Sequence, residues 1–208
     1  MNNISVLAVV HNEHDYLEES FNALKPYVDE FVVIDQGSTD DTVIIAKRFT
    51  DKVFLFPQVF YEGAYMAHAA LMAKNEWVLK CNPDELWDEI LFKEFSVLLA
   101  GEYDIVRFKL SYIGLPAQPP YSYGARLWRR NKVLWTDSFD PIPYGEENLV
   151  QFCCESGFIL NRHSPESALQ RYRLEGAKRL LVRYGETKVA PYENYCRYYQ
   201  EIVDSKCV

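Results

Sequence analysis

Short apolar runs alternate with amphipathic stretches along the first half of this chain. The first run, residues 4–10, is rich in β-branched residues, and Leu17, Phe21 and Leu24 then recur at the spacing of one helix face. The alternation is repeated twice before another apolar run begins at Trp77. Strands that alternate with helices predict a parallel sheet covered on both faces. The predicted strands are 4–10, 31–34, 53–56 and the run from Trp77, and the predicted helices lie near 16–24, at 43–49 and at 63–73.

The second half of the chain has a less regular pattern, which predicts a smaller antiparallel part followed by helices. Alternation of apolar and polar residues indicates half-buried strands there, and Gly- and Pro-rich stretches indicate loops. The predicted elements are a helix at 86–99, a strand at 105–112, an irregular segment at 114–124, a hairpin formed by 125–128 and 133–135, an irregular acidic segment at 136–148, a strand at 158–160 and helices at 169–184 and 192–203.

Three of the predicted strands end in clusters of polar residues. The carboxyl ends of parallel strands meet at one edge of the sheet, which is where open α/β sheets bind their ligands. The three clusters are therefore predicted to converge. They are His11, Asn12 and Glu13 after the first strand, residues 35–42 after the second, and Asn82, Asp84 and Glu85 after the fourth.

Two aspartates of the second cluster each allow two roles. Asp35 ends an apolar strand, where a carboxylate can accept a hydrogen bond from a nucleobase or a ribose hydroxyl. A carboxylate that binds the backbone of its own turn is the alternative, and we favour the ligand role. For Asp40 we favour a cap of the helix at 43–49, with Thr39 as the other choice of N-cap.

The sequence WVLKCNPDE, residues 77–85, is an apolar run that is interrupted at Pro83. Because proline cannot donate to a sheet ladder, a turn here presents the oxygen atoms of Asn82 and Asp84 at the end of the strand. Mg²⁺ and Mn²⁺ favour oxygen ligands and need few from the protein when they also bind a diphosphate. The alternative is an ordinary Asn-Pro-Asp turn that caps a helix starting near Leu86.

The segments VVHNE, VVIDQGSTDDT and WVLKCNPDE occur in the order typical of family 2 glycosyltransferases, which the first half of the chain resembles. More distant similarity of ARLWRRNKVLWTD and ILNRHSPES points to the branch that includes lipopolysaccharide-core glucosyltransferases. The resemblance implies a GT-A fold, an α/β fold with a Rossmann-like, mostly parallel sheet flanked by helices and a smaller antiparallel distal part. We expect one domain over 1–208, with a nucleotide-sugar-binding half at 1–100, an acceptor and catalytic half at 101–165 and C-terminal helices at 166–208.

The resemblance also implies a ligand and roles for particular residues. The donor would be a nucleotide-diphosphate sugar, with UDP as the expected nucleotide, and Mn²⁺ or Mg²⁺ would bind its diphosphate. Family members usually have Asp where this chain has Asn82, and a neutral amide binds cations more weakly than a carboxylate. Metal-dependent and metal-independent action therefore both stay open. The implied nucleotide-binding residues are His11, Asn12, Glu13, Asp35, Gly37 and Ser38, and the implied metal ligands are Asp84, Asn82 and His163.

An inverting sugar transfer needs a carboxylate that takes the proton from the attacking acceptor hydroxyl. The acidic segment 136–148 supplies the candidates. The resemblance places Asp140 near a polar position and Glu146 near a Glu-Asp pair of other branches, so these two are the candidate bases, with Asp140 first. His163 matches a histidine near the end of the catalytic domain, which can bind a metal or contact a phosphate; a purely structural role is the alternative.

Composition and charge argue against several classes of protein. The net charge of −8 and the pI near 5.1 argue against general nucleic-acid binding. No segment approaches the length of a membrane span, and no basic start precedes the first apolar run, which predicts neither a membrane helix nor a signal peptide. The five cysteines lack paired metal spacing, so reduced thiols and a cytoplasmic protein are expected.

The predicted helix at 169–184 combines an apolar stripe with several cations. Such a helix can lie on anionic lipid, which would suit peripheral contact with the inner face of the membrane and a lipid-linked acceptor. We favour the alternative, a helix packed on the sheet with the aliphatic parts of its arginines along the surface.

These features predict an enzyme that transfers a sugar from a nucleotide-diphosphate donor to a glycan or another hydroxyl acceptor, with inversion and metal assistance. Two alternatives remain. A non-catalytic protein of the same fold that binds sugar nucleotides or acts as a scaffold is compatible with Asn82. Sugar transfer to a modified nucleic-acid base is compatible with the compact size, whereas the acidity of the chain argues against it.

We expect Asp140→Asn to lower turnover by about 10²- to 10⁴-fold and to leave donor affinity nearly unchanged, because loss of a general base raises the transition state without weakening donor binding. Steady-state kinetics and a donor titration measure the two effects separately. Glu146→Gln is the matched variant. A collapse of turnover in Glu146→Gln alone would assign the base to Glu146, and full turnover in both variants would exclude this segment from the chemistry.

Overall fold

The computed structural model describes residues 3–56, 62–112, 122–134, 142–143 and 149–162. The chain divides into two compact units, of which the first comprises Met1–Ser111 and Ala117–Leu160 and the second Tyr112–Pro116 and Asn161–Val208. Apart from Tyr112, Asn161 and Arg162, all described residues belong to the first unit. The predicted C-terminal helices, Asp140, Glu146 and His163 lie outside the described residues.

Strands and helices alternate along the described part of the chain, as the hydrophobic pattern predicts. Two 3₁₀ turns, Lys25–Tyr27 and Arg130–Lys132, complete the regular structure of the described residues. The elements are β1 (Ile4–Val10), α1 (Leu17–Leu24), β2 (Glu30–Asp35), α2 (Thr42–Ala46), β3 (Val53–Leu55), α3 (Glu62–Met72), β4 (Trp77–Lys80), β5 (Glu85–Trp87), α4 (Glu89–Ala100), β6 (Ile105–Tyr112), β7 (Ser122–Arg129), β8 (Val133–Leu134), β9 (Ile142–Pro143) and β10 (Gln151–Asn161).

Eight of the strands form one sheet in the order β3-β2-β1-β4-β7-β6-β10-β5. The strand β1 pairs in parallel with β2 and with β4, and β2 pairs in parallel with β3. The strand β7 is antiparallel to both of its neighbours, β4 and β6. The prediction of a parallel sheet that continues into a smaller antiparallel part is therefore confirmed.

The two faces of the sheet bury separate cores, because alternate side chains of a strand point to opposite faces. On one face, Val6 of β1 packs in a cluster with Phe21 of α1 and Phe95 of α4. On the other face, Leu7 packs in a cluster with Tyr65 and other residues of α3. Helices cover both faces, which explains why β1 and β2 are buried at nearly every position.

The predicted hairpin of 125–128 with 133–135 is wrong. Both edges of β7 are occupied, one by β4 and the other by β6, so no edge of β7 remains for β8. Instead, β8 pairs with β9 in a separate antiparallel sheet of two strands. The segments predicted to be irregular, 114–124 and 136–148, both contain strand residues. The strand β7 begins at Ser122, and β9 lies within 136–148.

The helix predicted at 86–99 begins three residues later than expected. Residues 85–87 form β5, and Trp87 is buried in the aromatic core with its ring centroid 5.4 Å from that of Phe108. The N-cap is Asp88, whose carboxylate accepts a hydrogen bond of 3.0 Å from the backbone N–H of Ile90. The Asn-Pro-Asp turn therefore leads into a strand, and the alternative in which it caps this helix is wrong.

No helix among the described residues is long and apolar enough to cross a membrane. The cysteines of the described part, Cys81, Cys153 and Cys154, are free thiols, as expected from their number and spacing.

We expect Phe21→Ala to cost about 3–5 kcal/mol of the free energy of unfolding, because truncating a buried aromatic residue removes apolar burial and leaves a cavity. Phe21 is fully buried, with its ring stacked on Phe31 at 4.5 Å and edge-on to Phe49 at 5.3 Å. Urea titration measures the change. The control is Ile44→Ala on the exposed side of α2, with an expected change within about 0.5 kcal/mol. Equal costs in the two variants would contradict the packing of α1 on the sheet.

Candidate functional site

The loops that follow β1 and β2 are joined by direct hydrogen bonds. The backbone N–H of Asn12 donates to Oγ of Ser38 at 2.9 Å, and Oδ1 of Asn12 accepts from the backbone N–H of Thr39 at 2.8 Å. The backbone N–H of Glu13 donates to Oγ1 of Thr42 at 2.7 Å. The structure thus brings the first two predicted polar clusters together, and within them His11 and Asn12 are exposed.

The carboxylate of Asp35 shapes the turn that follows β2. It accepts hydrogen bonds from the backbone N–H of Gly37 at 3.0 Å, from the backbone N–H of Ser38 at 3.1 Å and from the Ser38 hydroxyl at 2.5 Å. The residue is only 2% exposed. Such bonds satisfy a buried carboxylate that would otherwise be costly. The turn role considered as the alternative for Asp35 is therefore present, and its role as a nucleotide ligand stays a prediction.

Two residues of these loops have left-handed backbone conformations. Gly37 has φ of 90° and Asn12 has φ of 57°. A side chain at residue 37 would have open space around its Cβ, so the backbone conformation and not crowding explains the glycine there. Asparagine is one of the few other residues that tolerate this conformation. These two residue types are the local reason that the loops can turn where they do.

Asp40 joins the second loop to the first and also holds the start of α2. Its Oδ1 accepts from the backbone N–H of Thr42 at 3.0 Å, and its Oδ2 lies 2.7 Å from Nδ1 of His14. The helix begins at Thr42, one residue earlier than predicted, and its N-cap position is Asp41, which has no side-chain cap; the favoured capping role of Asp40 is present from the residue before the N-cap. Desolvation alone would raise the pKa of Asp40, but hydrogen bonds from Thr42 and His14 outweigh it and lower that pKa.

The third polar cluster follows β4, directly beside β1. Leu7 of β1 is in register with Lys80 of β4, and the backbone N–H of Cys81 donates to the carbonyl oxygen of Leu7 at 3.0 Å. A turn then forms, in which the backbone N–H of Glu85 donates to the carbonyl oxygen of Asn82 at 3.0 Å. The cluster therefore lies at the same edge of the sheet as the first two, because β1, β2 and β4 are parallel.

The thiol of Cys81 lies immediately before this turn and is buried. Its sulfur is 3.2 Å from Oγ of Ser20 on α1. Burial, together with the nearby charges of Glu85 and Asp84, raises the pKa of Cys81 to about 12. The raised pKa favours the neutral thiol at physiological pH and argues against Cys81 as a thiolate nucleophile.

Glu85 and Arg126 form a buried ion pair next to the turn. The guanidinium of Arg126 donates from Nη2 to Oε1 of Glu85 at 2.7 Å and from Nε to Oε2 at 3.1 Å. Arg126 was not among the predicted site residues. The signal for it was a lone cation inside the otherwise apolar run ARLW of a central strand, because a buried charge needs a partner of opposite charge.

The residues described at this edge fit a cation that is held mainly by its ligand. Among the described residues, no group of three or more His, Cys, Asp or Glu side chains could hold a metal ion. Asp84 is 3% exposed and Asn82 is half-buried. One carboxylate and one amide oxygen are too few for a closed protein site, but Mg²⁺ and Mn²⁺ commonly bind one or two carboxylates together with phosphates and waters.

Comparison with protein families shows a match of Glycosyl transferase family 2 over residues 5–164. An uncharacterised glycosyltransferase of Rickettsia typhi is 36% identical over 101 residues, which are 49% of this chain and 34% of that protein. One of Rickettsia prowazekii is 38% identical over 101 residues, again 49% of this chain and 34% of the relative. The chain thus spans about a third of the length of these curated relatives.

Comparison with solved structures shows the GT-A fold. TarS of S. aureus, residues 1–349, in complex with UDP has a TM-score of 0.59 at 16% identity, over 95% of this chain and 70% of that one. Glucosyl-3-phosphoglycerate synthase of Mycobacterium tuberculosis, in complex with Mn²⁺, UDP and glucosyl-3-phosphoglycerate, has a TM-score of 0.58 at 22% identity, over 89% of this chain and 81% of that one. The assignment to the lipopolysaccharide-core branch stays a prediction.

We expect the pKa of His14 to lie above 6.5 and to fall toward that value in Asp40→Asn. The hydrogen bond to Asp40 is the main cause of the raised pKa, and the charge of Asp15 adds to it. Because the pKa is raised on folding, the resulting stabilisation is complete below the unfolded pKa and is lost as the pH rises through the folded pKa. Titration of the histidine ring signals by NMR measures both values, and an unchanged pKa in Asp40→Asn would contradict the contact.

Proposed function

Since the chain belongs to glycosyl transferase family 2, we propose that it transfers a sugar from a nucleotide-diphosphate donor, with UDP as the nucleotide, to the hydroxyl of a glycan or another acceptor. The observation that carries this proposal is the position of three polar loops at the carboxyl edge of β1, β2 and β4. Ligands of open α/β sheets bind at that edge. The UDP complexes of TarS and of glucosyl-3-phosphoglycerate synthase, two proteins of the same fold, support the choice of nucleotide.

In this proposal the nucleoside contacts the joined loops after β1 and β2. The exposed residues His11, Asn12 and Gly37 offer backbone and side-chain atoms to it. Asp35 and Ser38 stabilise this surface, because their hydrogen bonds fix the turn that carries Gly37. Asp35 therefore acts on the nucleoside chiefly through the turn that it shapes, and Glu13 through its bond to Thr42.

We assign the diphosphate to the turn after β4. Asp84 would hold Mn²⁺ or Mg²⁺ through its carboxylate, and Asn82 would add a neutral oxygen, with His163 as a further ligand by resemblance. The bound cation would neutralise charge that develops on the diphosphate leaving group. Asp84 supplies the negative charge of this protein site, so it is the residue on which cation binding depends most.

The transfer itself would be an in-line displacement. The acceptor oxygen forms a bond to the anomeric carbon while the bond from that carbon to the diphosphate oxygen breaks. The proton of the acceptor hydroxyl passes to a carboxylate, for which Asp140 is the first candidate and Glu146 the second. This course inverts the configuration at the anomeric carbon.

We expect saturating UDP with Mn²⁺ to raise the melting temperature, because a ligand that binds only the native state stabilises it by about 2.7 kcal/mol at a hundred times its Kd. Asp84→Asn should abolish the part of the shift that requires Mn²⁺. Thermal melts with UDP, with and without a chelator, measure both effects.

The matched control for Asp84→Asn is Asp51→Asn, which removes an exposed carboxylate beside the start of β3, at the opposite edge of the sheet. It should keep the full UDP shift. An unchanged melting curve of the parent protein with UDP, GDP and dTDP would refute the nucleotide site. If Asp84→Asn keeps the full UDP shift with Mn²⁺, the metal role of Asp84 is refuted but the nucleotide site is not. Binding of UDP without hydrolysis or transfer in a panel of donors would favour a non-catalytic binding protein.

A further inference from the structure

Asn82, Glu85 and Arg126 form one chain of hydrogen bonds at the turn after β4. The side-chain amide of Asn82 donates from Nδ2 to Oε1 of Glu85 at 3.0 Å. The same oxygen accepts from Nη2 of Arg126 at 2.7 Å. Glu85 is 3% exposed and Arg126 is 8% exposed, so these charges interact with little screening by water.

The contact with Glu85 decides which way the Asn82 amide faces. A carboxylate oxygen that is paired with an arginine accepts hydrogen bonds, so only the NH₂ group of Asn82 can be the partner at this distance. The carbonyl oxygen Oδ1 must therefore point away from Glu85. Because Oδ1 is the one atom of this side chain that can bind a cation, the contact sets its direction.

An aspartate at this position would lack the donor. Its carboxylate would lie against the carboxylate of Glu85 at hydrogen-bond distance, and two like charges in a buried site repel. Asparagine at position 82 is therefore compatible with Glu85, and aspartate is not. The low charge of the motif follows from a neighbouring side chain and is not evidence of a lost metal site.

Arg126 fixes Glu85 by geometry as well as by charge. The planar guanidinium binds both carboxylate oxygens, and its Nη1 donates to the carbonyl oxygen of Ala125 at 2.9 Å. Glu85 lies on β5 and Arg126 on β7, and these strands are separated by β6 and β10 in the order of the sheet. Because β4, the strand that leads into the turn, pairs directly with β7, the ion pair extends the contact with β7 past Leu79 and Leu127 to the residue that follows the turn.

We propose that Arg126 is a positioning residue for the cation-binding turn, acting through Glu85 to hold Oδ1 of Asn82 in one orientation. This inference rests on the proposed function, in which the turn binds the metal-diphosphate group of the donor. It goes beyond that function in assigning roles to Glu85 and Arg126 and in explaining why residue 82 is an amide.

The first test is a thermal-melt cycle on the ligand-free protein with N82D, E85Q and the double variant N82D/E85Q. N82D alone should lower the melting temperature by several degrees. The double variant should recover part of the loss, because the introduced glutamine can donate from its amide to the introduced aspartate and its carbonyl oxygen can accept from Nε of Arg126, while Nη2 of Arg126 loses Oε1 as its acceptor. Strictly additive effects of the two substitutions would overturn the assigned contact.

The second test measures UDP affinity by calorimetry with Mn²⁺ and with a chelator. Arg126→Lys keeps the charge but loses the two-pronged contact, so UDP affinity with Mn²⁺ should fall by about 10- to 100-fold, the loss typical of a group that orients a metal ligand. UDP affinity in the chelator should change little.

The control is Glu30→Gln, which disrupts another buried carboxylate that is paired with Lys52 at the opposite edge of the sheet. It should lower the melting temperature without changing the ratio of UDP affinities with and without Mn²⁺. If Arg126→Lys and Glu30→Gln change that ratio equally, Arg126 is merely structural and the inference fails. A parent that binds no nucleotide would refute the proposed function and the donor part of this inference, while the melting cycle still decides the contact of Asn82 with Glu85.

Discussion

The parallel pairing of β1 with β2 on one side and with β4 on the other is the constraint on which the rest of the structure depends. It places the loops after Val10, Asp35 and Lys80 side by side at one edge. Each loop is then fixed by a different kind of polar contact. After β2, the carboxylate of Asp35 accepts hydrogen bonds from backbone N–H groups. Asn12 joins the loops after β1 and β2, and the ion pair of Glu85 with Arg126 holds the turn after β4.

The central strands also explain how polar groups can be buried close to the sheet edge at which we propose that a ligand binds. Both faces of the sheet are covered, so a charged group at the edge must find its partners inside the protein. Asp35 has its partners in its own turn, and Glu85 has one on β7, which is distant in sequence and is the sheet neighbour of β4. The partners of Asp35 are close to it in the sequence, whereas the partner of Glu85 is brought near it by the strand order of the sheet.

This difference accounts for how much the sequence could predict. Local signals located β1, α1, β2, α3, β4 and β6, because strands and helices of this length carry a clear apolar period. The turn role of Asp35 was recognised as an alternative for the same reason. The partner of β7 was not predictable, since a hairpin with β8 was locally plausible and only the occupied edges of β7 exclude it. The pairing of Glu85 with Arg126 joins residues that are 41 positions apart, and the lone cation in ARLW indicates that Arg126 needs a partner without indicating which residue it is. The roles of Asp140, Glu146 and His163 stay predictions.

The hydrogen bonds between Asn12, Ser38 and Asp35 have a consequence for the rate at which the proposed donor would bind. Both partners of each of these bonds belong to the chain itself, so folding is sufficient to form the bonds and to order this pair of loops. Ordering a flexible loop at the moment of binding would cost conformational entropy and slow productive association. For these two loops the loss of conformational entropy takes place during folding and not on binding. The approach of a nucleotide to these loops is then governed by diffusion and by repulsion between its phosphates and an acidic protein, so added salt should speed its association.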